Sequence, residues 1–188
     1  INNSGTTTAS KQINGIGIAN ALANNVVYVT NTTISGNTSQ MGAAGILTVN
    51  AKFYIYNSTI TNNVSDIPGT YGGGIHNNVT EIRNTIVAGN TNDFVSCTAT
   101  NVAYSIIGST SGLTVVNDLG GNQFNTNPLL GTLQQYKHTW CHPFAVSNPP
   151  HNNGTDLTSY GITTDQRGVA RPQSTAYDVG AFELEDQQ

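Results

Sequence analysis

At 188 residues the chain is long enough for one domain with a real core or for an array of repeats, and nothing in it demands two domains. Only 9% of the residues are charged and the formal net charge is −4, with no Lys/Arg cluster, which excludes the electrostatic footprint of a nucleic-acid binder or of a protein drawn to an anionic membrane surface. No run approaches the roughly 18 apolar residues that span a bilayer, and the opening INNSGTTTASKQ lacks the regions of a signal peptide, so a soluble chain is expected, either a processed form or a piece of something longer.

In chain order, residues 1–14 are mostly small and polar between Ile1 and Ile13. They cannot bury much within their own chain and are expected to dock on a neighbouring copy as an added strand. Across residues 15–126 a phrase recurs: VTNTTISGN from Val29, IYNSTITNN from Ile55 and IRNTIVAGN from Ile82, with a phase of 26 residues and then 27. Glycine–isoleucine pairs recur beside them at Gly17, Gly45 and Gly74. Self-similarity at such a period is the sign of a solenoid.

No window shows helical spacing, whereas VVYVT, GILTV, FYIYN and EIRNTIV are short, rich in β-branched and aromatic residues, and cut off by Gly or Asn. These are strands, and a repeat holding two or three of them is a turn of a parallel β-helix. Each strand then pairs with its counterpart about 4.8 Å away in the next turn. Ile34, Ile60 and Val87 are expected to form one internal stack. Asn31, Asn57 and Asn84 fall at one place in successive turns and are expected to form an amide ladder. Asn37, Asn63 and Asn90 are read as turn residues, because Asn tolerates the left-handed backbone of corners.

Past Asn90 the period shortens, but VAYSIIGS and GLTVVND still read as strands, so four to five turns are expected before about Asp118. From Asn127 the chain turns to proline, Trp140 and most of the histidines. Residues 127–188 are expected to form an irregular cap over the last turn, as solenoid ends require. Asp165, Arg167, Arg171, Asp178 and Glu183 lie close together in a chain otherwise poor in charge. Arginine–carboxylate pairs there would orient the cap. The functional alternative is a carboxylate-and-arginine binding site.

Glycoside or lyase chemistry needs paired carboxylates or a base with calcium-binding acids. The repeats offer few: Asp66, Glu81, Asp93 and Asp118. Asp66 and Asp93 each follow the closing Asn of a phrase by three and would bind calcium if stacked; the alternative is solvated loop acids. His76 reads as a residue beside a glycine corner, and His138, His142 and His151 lack the fixed spacing of a zinc site. No nucleophile–base–acid set is legible. Cys97 and Cys141 are expected to form a disulfide closing about 45 residues, worth on the order of 4 kcal/mol, and clamping cap to solenoid. The alternative is two unrelated buried thiols.

The tail, NPLLGTL, HTWCHPFAVSNPPHNNGTD, TDQRGVARP and YDVGAFE in that order, resembles the C-terminal signature of bacterial surface and secreted proteins of the choice-of-anchor Q type. The TISGN-like repeats resemble those of that family and of polymorphic outer membrane proteins. The resemblance covers nearly the whole chain. It implies an all-β, right-handed parallel β-helix (solenoid) with an irregular C-terminal cap, exported to the cell surface or beyond.

The function expected is therefore that of a non-enzymatic extracellular structural or adhesive protein, without cofactor, that assembles end to end into a homo-oligomer or fibre. A polysaccharide or a cell surface is the partner class. The alternative is a carbohydrate-active or carbohydrate-binding β-helix of the polysaccharide lyase or hydrolase kind.

Overall fold

Strands of two or three residues cannot hold themselves, and in the computed structural model, which describes residues 4–5, 17–20 and 25–185, they are held sideways. Four parallel sheets each take one strand from successive repeats. Sheet A joins Ser4–Gly5, Thr38–Ser39 and Val64–Ser65. Sheet B joins Ile18–Asn20, Ile46–Thr48, Ile75–His76 and Phe94–Val95. Sheet C joins Val26–Thr30, Lys52–Tyr56, Val79–Arg83, Cys97–Ala103 and Leu113–Asp118. Sheet D joins Thr33–Ser35, Thr59–Thr61, Ile86–Val87, Ile106–Ile107 and Gln123–Phe124.

The protein is thus all-β with separate parallel sheets, an arrangement compatible with a solenoid. Among the described residues the only helical element is a 3₁₀ turn, Thr158–Tyr160, and no helix is long and apolar enough to cross a membrane. From Ile18 the chain visits B, C, D and A in rotation, drops A after Ser65 and B after Val95, and ends alternating C with D. Losing a strand shortens the repeat. Ile55 pairs with Ile82, 27 residues on; Ile82 pairs with Val102, 20 on; Val102 pairs with Asp118, 16 on.

Equivalent residues bury one another. Ile34 pairs with Ile60, Ile60 with Val87, and the row continues through Ile107 to Phe124. The first four are fully buried. Val29, Ile55, Ile82 and Val102 from sheet C and Ile46, Ile75 and Phe94 from sheet B pack into the same cluster. Glycine marks the place where repeats come closest. Gly45 N–H donates to the Gly73 carbonyl at 2.8 Å, and a Cβ on Gly45 would run into the carbonyl oxygen of Gly74.

The two asparagine rows exchange the roles expected of them. Asn31, Asn57 and Asn84 are the corners, with φ of 48°, 44° and 47°, and Tyr104 takes the same place in the next repeat at 47°. They make no ladder. The corner turns their amides outward, where Asn31 donates to Thr164 O and Asn84 exchanges two bonds with Thr155, while the buried Asn57 amide has no hydrogen-bond partner among the described residues. The ladder is Asn37, Asn63 and Asn90. Asn37 Nδ2 donates to Asn63 Oδ1 at 2.8 Å and Asn63 Nδ2 to Asn90 Oδ1 at 2.9 Å, and the same oxygens accept the backbone N–H of the residue below. Asp93 ends the ladder, its Oδ1 accepting both N–H and Nδ2 of Asn90.

Residues from 127 onward do not cap the last repeat as expected; they lie along the outer face of sheet D. Contacts run from the first of its strands, where Thr33 and Ser35 meet Gln166 and His142, to the last, where Gln123 meets Pro149 O. The reason lies in the outward row of that sheet, Thr33, Thr59, Ile86, Ile106 and Gln123. Two isoleucines facing out need cover, and Val179 and Leu130 pack on them. Of the segment expected to dock on a neighbour, only Ser4–Gly5 falls within the described residues, and it pairs with the chain's own Thr38–Ser39.

Truncating Ile60 in the middle of the buried row leaves a cavity no sequence neighbour can fill. Ile60→Ala is expected to lower stability by about 2–5 kcal/mol in denaturant unfolding. A loss under about 1 kcal/mol would contradict the stacking register.

Candidate functional site

The signature residues of the tail build a hydrogen-bonded knot before they build anything else. Arg171 is buried; its Nη1 donates to Glu183 Oε2 and to Asp178 O, both at 2.8 Å, and its Nη2 to Gly180 O at 2.7 Å. Arg167 Nε donates to Asp165 Oδ2 at 2.8 Å, and its guanidinium lies 3.9 Å from the centre of the Phe182 ring. Asp165 also accepts from the backbone N–H of Val169 and Glu183. Asp178 pairs with no arginine side chain and instead accepts from the N–H of Asn152 and Leu184. With its lone pairs taken by backbone, this set holds the element together.

The knot seats the element on sheet D. Gly180, at φ 102°, passes so close that a Cβ would stand 2.8 Å from both Ile86 Cδ1 and Thr59 Oγ1. The neighbouring Ala181 N–H donates to that Thr59 hydroxyl at 3.0 Å. An antiparallel hairpin, Gln134–Tyr136 with Thr139–Cys141, stands beside the first strand of sheet D and is tied to it by Gln166. Gln166 Oε1 accepts from Thr33 Oγ1 at 2.7 Å, and Gln166 Nε2 donates to Thr139 Oγ1 and to Trp140 O.

Between hairpin and sheet lies a cleft of about 450 Å³ lined by Thr33, Ser35, Leu133, His138, Thr139, Trp140 and Gln166. At its edge a serine–histidine pair joins residues 107 apart in sequence: Ser35 Oγ and His142 Nε2 are 2.8 Å apart, and His142 Nδ1 lies 2.7 Å from Gly131 O. A carbonyl only accepts, so Nδ1 carries the proton and Nε2 accepts from the serine hydroxyl. Burial holds the imidazole below its ordinary pKa, with the Gly131 bond opposing. The group that orients the histidine is a backbone carbonyl and not a carboxylate, so the imidazolium of a hydrolytic step would have no charged partner.

The other sequence candidates lie apart. Asp93 is buried at the end of the amide ladder, its pKa raised by burial against the Asn90 bonds, while Asp66 is exposed. The two are not arranged as a stacked pair, and no group of three or more metal-ligating side chains occurs among the described residues. Glu81 forms a salt bridge with Arg83 at 2.6 Å and accepts from Tyr56 Oη. His76 sits at the end of a sheet B strand against Tyr71, with its Nδ1 buried and without a hydrogen-bond partner among the described residues.

The expected disulfide is absent: both cysteines are free. Cys97 packs in the interior cluster with Phe94 and Ala99, whereas Cys141 packs with Phe144 and Phe182 in the C-terminal element. Because that element covers a face and not the end, sheet D comes between the thiols. Burial pushes Cys97 up to about 12 and Cys141 up to about 11, the latter with help from Asp165.

Compared with known proteins, the chain matches no family model, no curated protein and no solved structure.

Two outcomes follow from these environments. A histidine held neutral in the fold is protonated more readily in the unfolded chain, so stability is lost as pH falls through about 6.5 toward the folded value. The stability advantage of the wild type over His142→Gln is expected to shrink across that window in denaturant titrations; a constant advantage would contradict it. Intact mass after unfolding in iodoacetamide without reductant should show both thiols alkylated, with little modification of the folded protein. A species alkylated only after reduction would restore the disulfide.

Proposed function

We propose that the chain is a right-handed parallel β-helix module of a surface or secreted protein, without catalytic activity, that assembles end to end. The observation that carries this reading is the open end of the sheets. Leu113–Asp118 and Gln123–Phe124 are the last strands of sheets C and D and are paired on one side only among the described residues. The C-terminal element that was expected to cover them lies along sheet D instead.

An uncovered parallel edge is a template for another strand. Val116 and Leu119 beside it are 59% and 49% exposed. At the opposite edge of sheet C, Val26 and Tyr28 are 51% and 64% exposed, and Tyr28 stacks on Tyr54 at 5.0 Å. One edge meeting the other is a heterologous contact that does not close, so it propagates as a fibre. The likeness of the repeats and tail to exported β-helix families supports the extracellular setting, as does the low charge.

The absence of catalysis is supported by how three of the four carboxylates of the repeats are engaged, the fourth, Asp66, being exposed. Glu81 pairs with Arg83, Asp93 ends the ladder, and Asp118 accepts from Gly120 N–H and Asn122 Nδ2.

Sedimentation over a range of concentrations, with electron microscopy of the same samples, tests the reading. The full chain is expected to form growing linear oligomers. Thr114→Lys with Val116→Lys, both exposed on the edge strand, is expected to stay folded and monomeric. A wild type that remains monomeric at every concentration would overturn it.

A further inference from the structure

We propose that the cleft between the hairpin and sheet D binds a neutral polysaccharide chain through Trp140. The inference is independent of end-to-end assembly, since the cleft lies on the side of the sheets and not at their open edge.

The cleft, at about 450 Å³, is of the size that holds a small molecule or a segment of a chain. Its lining contains no Asp, Glu, Lys or Arg. A charged ligand entering it would lose hydration with no opposite charge to replace it, so the occupant is uncharged. The lining is also two-sided in character. Trp140, 51% exposed, and Leu133 are apolar, while Ser35, Thr139 and Gln166 are neutral hydrogen-bonding groups and His138 adds an imidazole. A ligand that matches has an apolar C–H face to lie on the indole and a rim of hydroxyls to meet the polar side, which describes a pyranose.

The polar side is set in advance. Ser35 donates its proton to His142 Nε2, which leaves the serine lone pairs as acceptors. Thr139 Oγ1 accepts from Gln166 Nε2 and so keeps its own proton for donation. A fixed acceptor and a fixed donor suit adjacent sugar hydroxyls, each of which is both. Because Gln166 is held to both sides of the cleft, little ordering remains for the ligand to impose. The serine–histidine pair is then a positioning device for the acceptor, with no bond broken.

Trp140 is the single tryptophan of the chain, so its emission reports the cleft directly. Full-length protein is titrated with cellohexaose, xylohexaose, mannohexaose and laminarihexaose, with hexagalacturonate as the charged comparison. At least one neutral oligosaccharide is expected to give a saturable change in emission, with hexagalacturonate weaker. By calorimetry, Trp140→Ala should bind that sugar about tenfold more weakly, the loss of one aromatic stacking contact. His138→Ala, which keeps the fluorophore, should weaken it by a smaller factor. The inference is overturned if no neutral oligosaccharide gives a saturable change, if hexagalacturonate binds more tightly, or if Trp140→Ala binds as the wild type does.

Discussion

Burial in this molecule runs between repeats. Ile60 has Thr59 and Thr61 as sequence neighbours, and its apolar contacts come from Ile34 on one side and Val87 on the other. A core made this way is a set of rows, and each row needs every repeat to place the same kind of residue at the same height. The close approach that makes the rows tight also sets the glycines, since Gly17, Gly45 and Gly74 each face the carbonyl of the next repeat. The ladder of Asn37, Asn63 and Asn90 satisfies buried N–H groups along one corner by the same translation. Its end also obeys that logic, because the Asp93 side chain supplies an acceptor and, unlike an amide, has no N–H of its own to satisfy in turn.

Sheet D is where this economy fails most plainly, and the C-terminal element packs around that failure, with Leu157, Ile162 and Tyr177 also covering Tyr56 at the end of a sheet C strand. A sheet with Ile86 and Ile106 on its outer side cannot face water along its length. Val179 and Leu130 seal the apolar middle, while Thr33, Ser35, Thr59 and Gln123 take hydrogen bonds at the flanks. The tail's charged residues keep an otherwise irregular segment rigid enough to do this. Arg171, fully buried and bonded to Glu183 and two carbonyls, is too costly to leave unpaired, which ties the segment's fold to its docking. With the tail committed to the side of the sheets, their last strands are paired on one side only among the described residues, and a cleft lies beside the first strand of sheet D.

Strands, their parallel stacking and the glycine corners were legible in the sequence because each imposes a residue type at a fixed phase. The asparagine rows were not told apart, because corner and ladder both favour Asn. What separates them is backbone conformation, left-handed at Asn31, Asn57 and Asn84, and Tyr104 holding the fourth corner was the one hint that the row is not an amide row. The shortening of the period was visible, but its cause, the loss of sheet A and then of sheet B, was not. The placement of the tail does have a signal in the sequence. Ile86-Val87 and Ile106-Ile107 put apolar residues on both sides of a strand, where Thr33-Ile34 and Thr59-Ile60 put one on each kind of face. The Ser35–His142 pair had no signal at all, since a contact across 107 residues follows from where the tail docks.

The account rests on sheet D being buried on both faces, so that repeats and tail form one cooperative unit. Amide hydrogen exchange under native conditions tests this most directly. The N–H groups of Ile60 and Ile86 and those of Gly154, Gly180 and Ala181, which bond across the seam or within the tail, are expected to exchange through one common opening at the slowest rates in the chain, with Val116 far faster. Fast exchange at Gly180 and Ala181 while Ile60 stays protected would mean that the tail is a detachable flap and that sheet D does not need it.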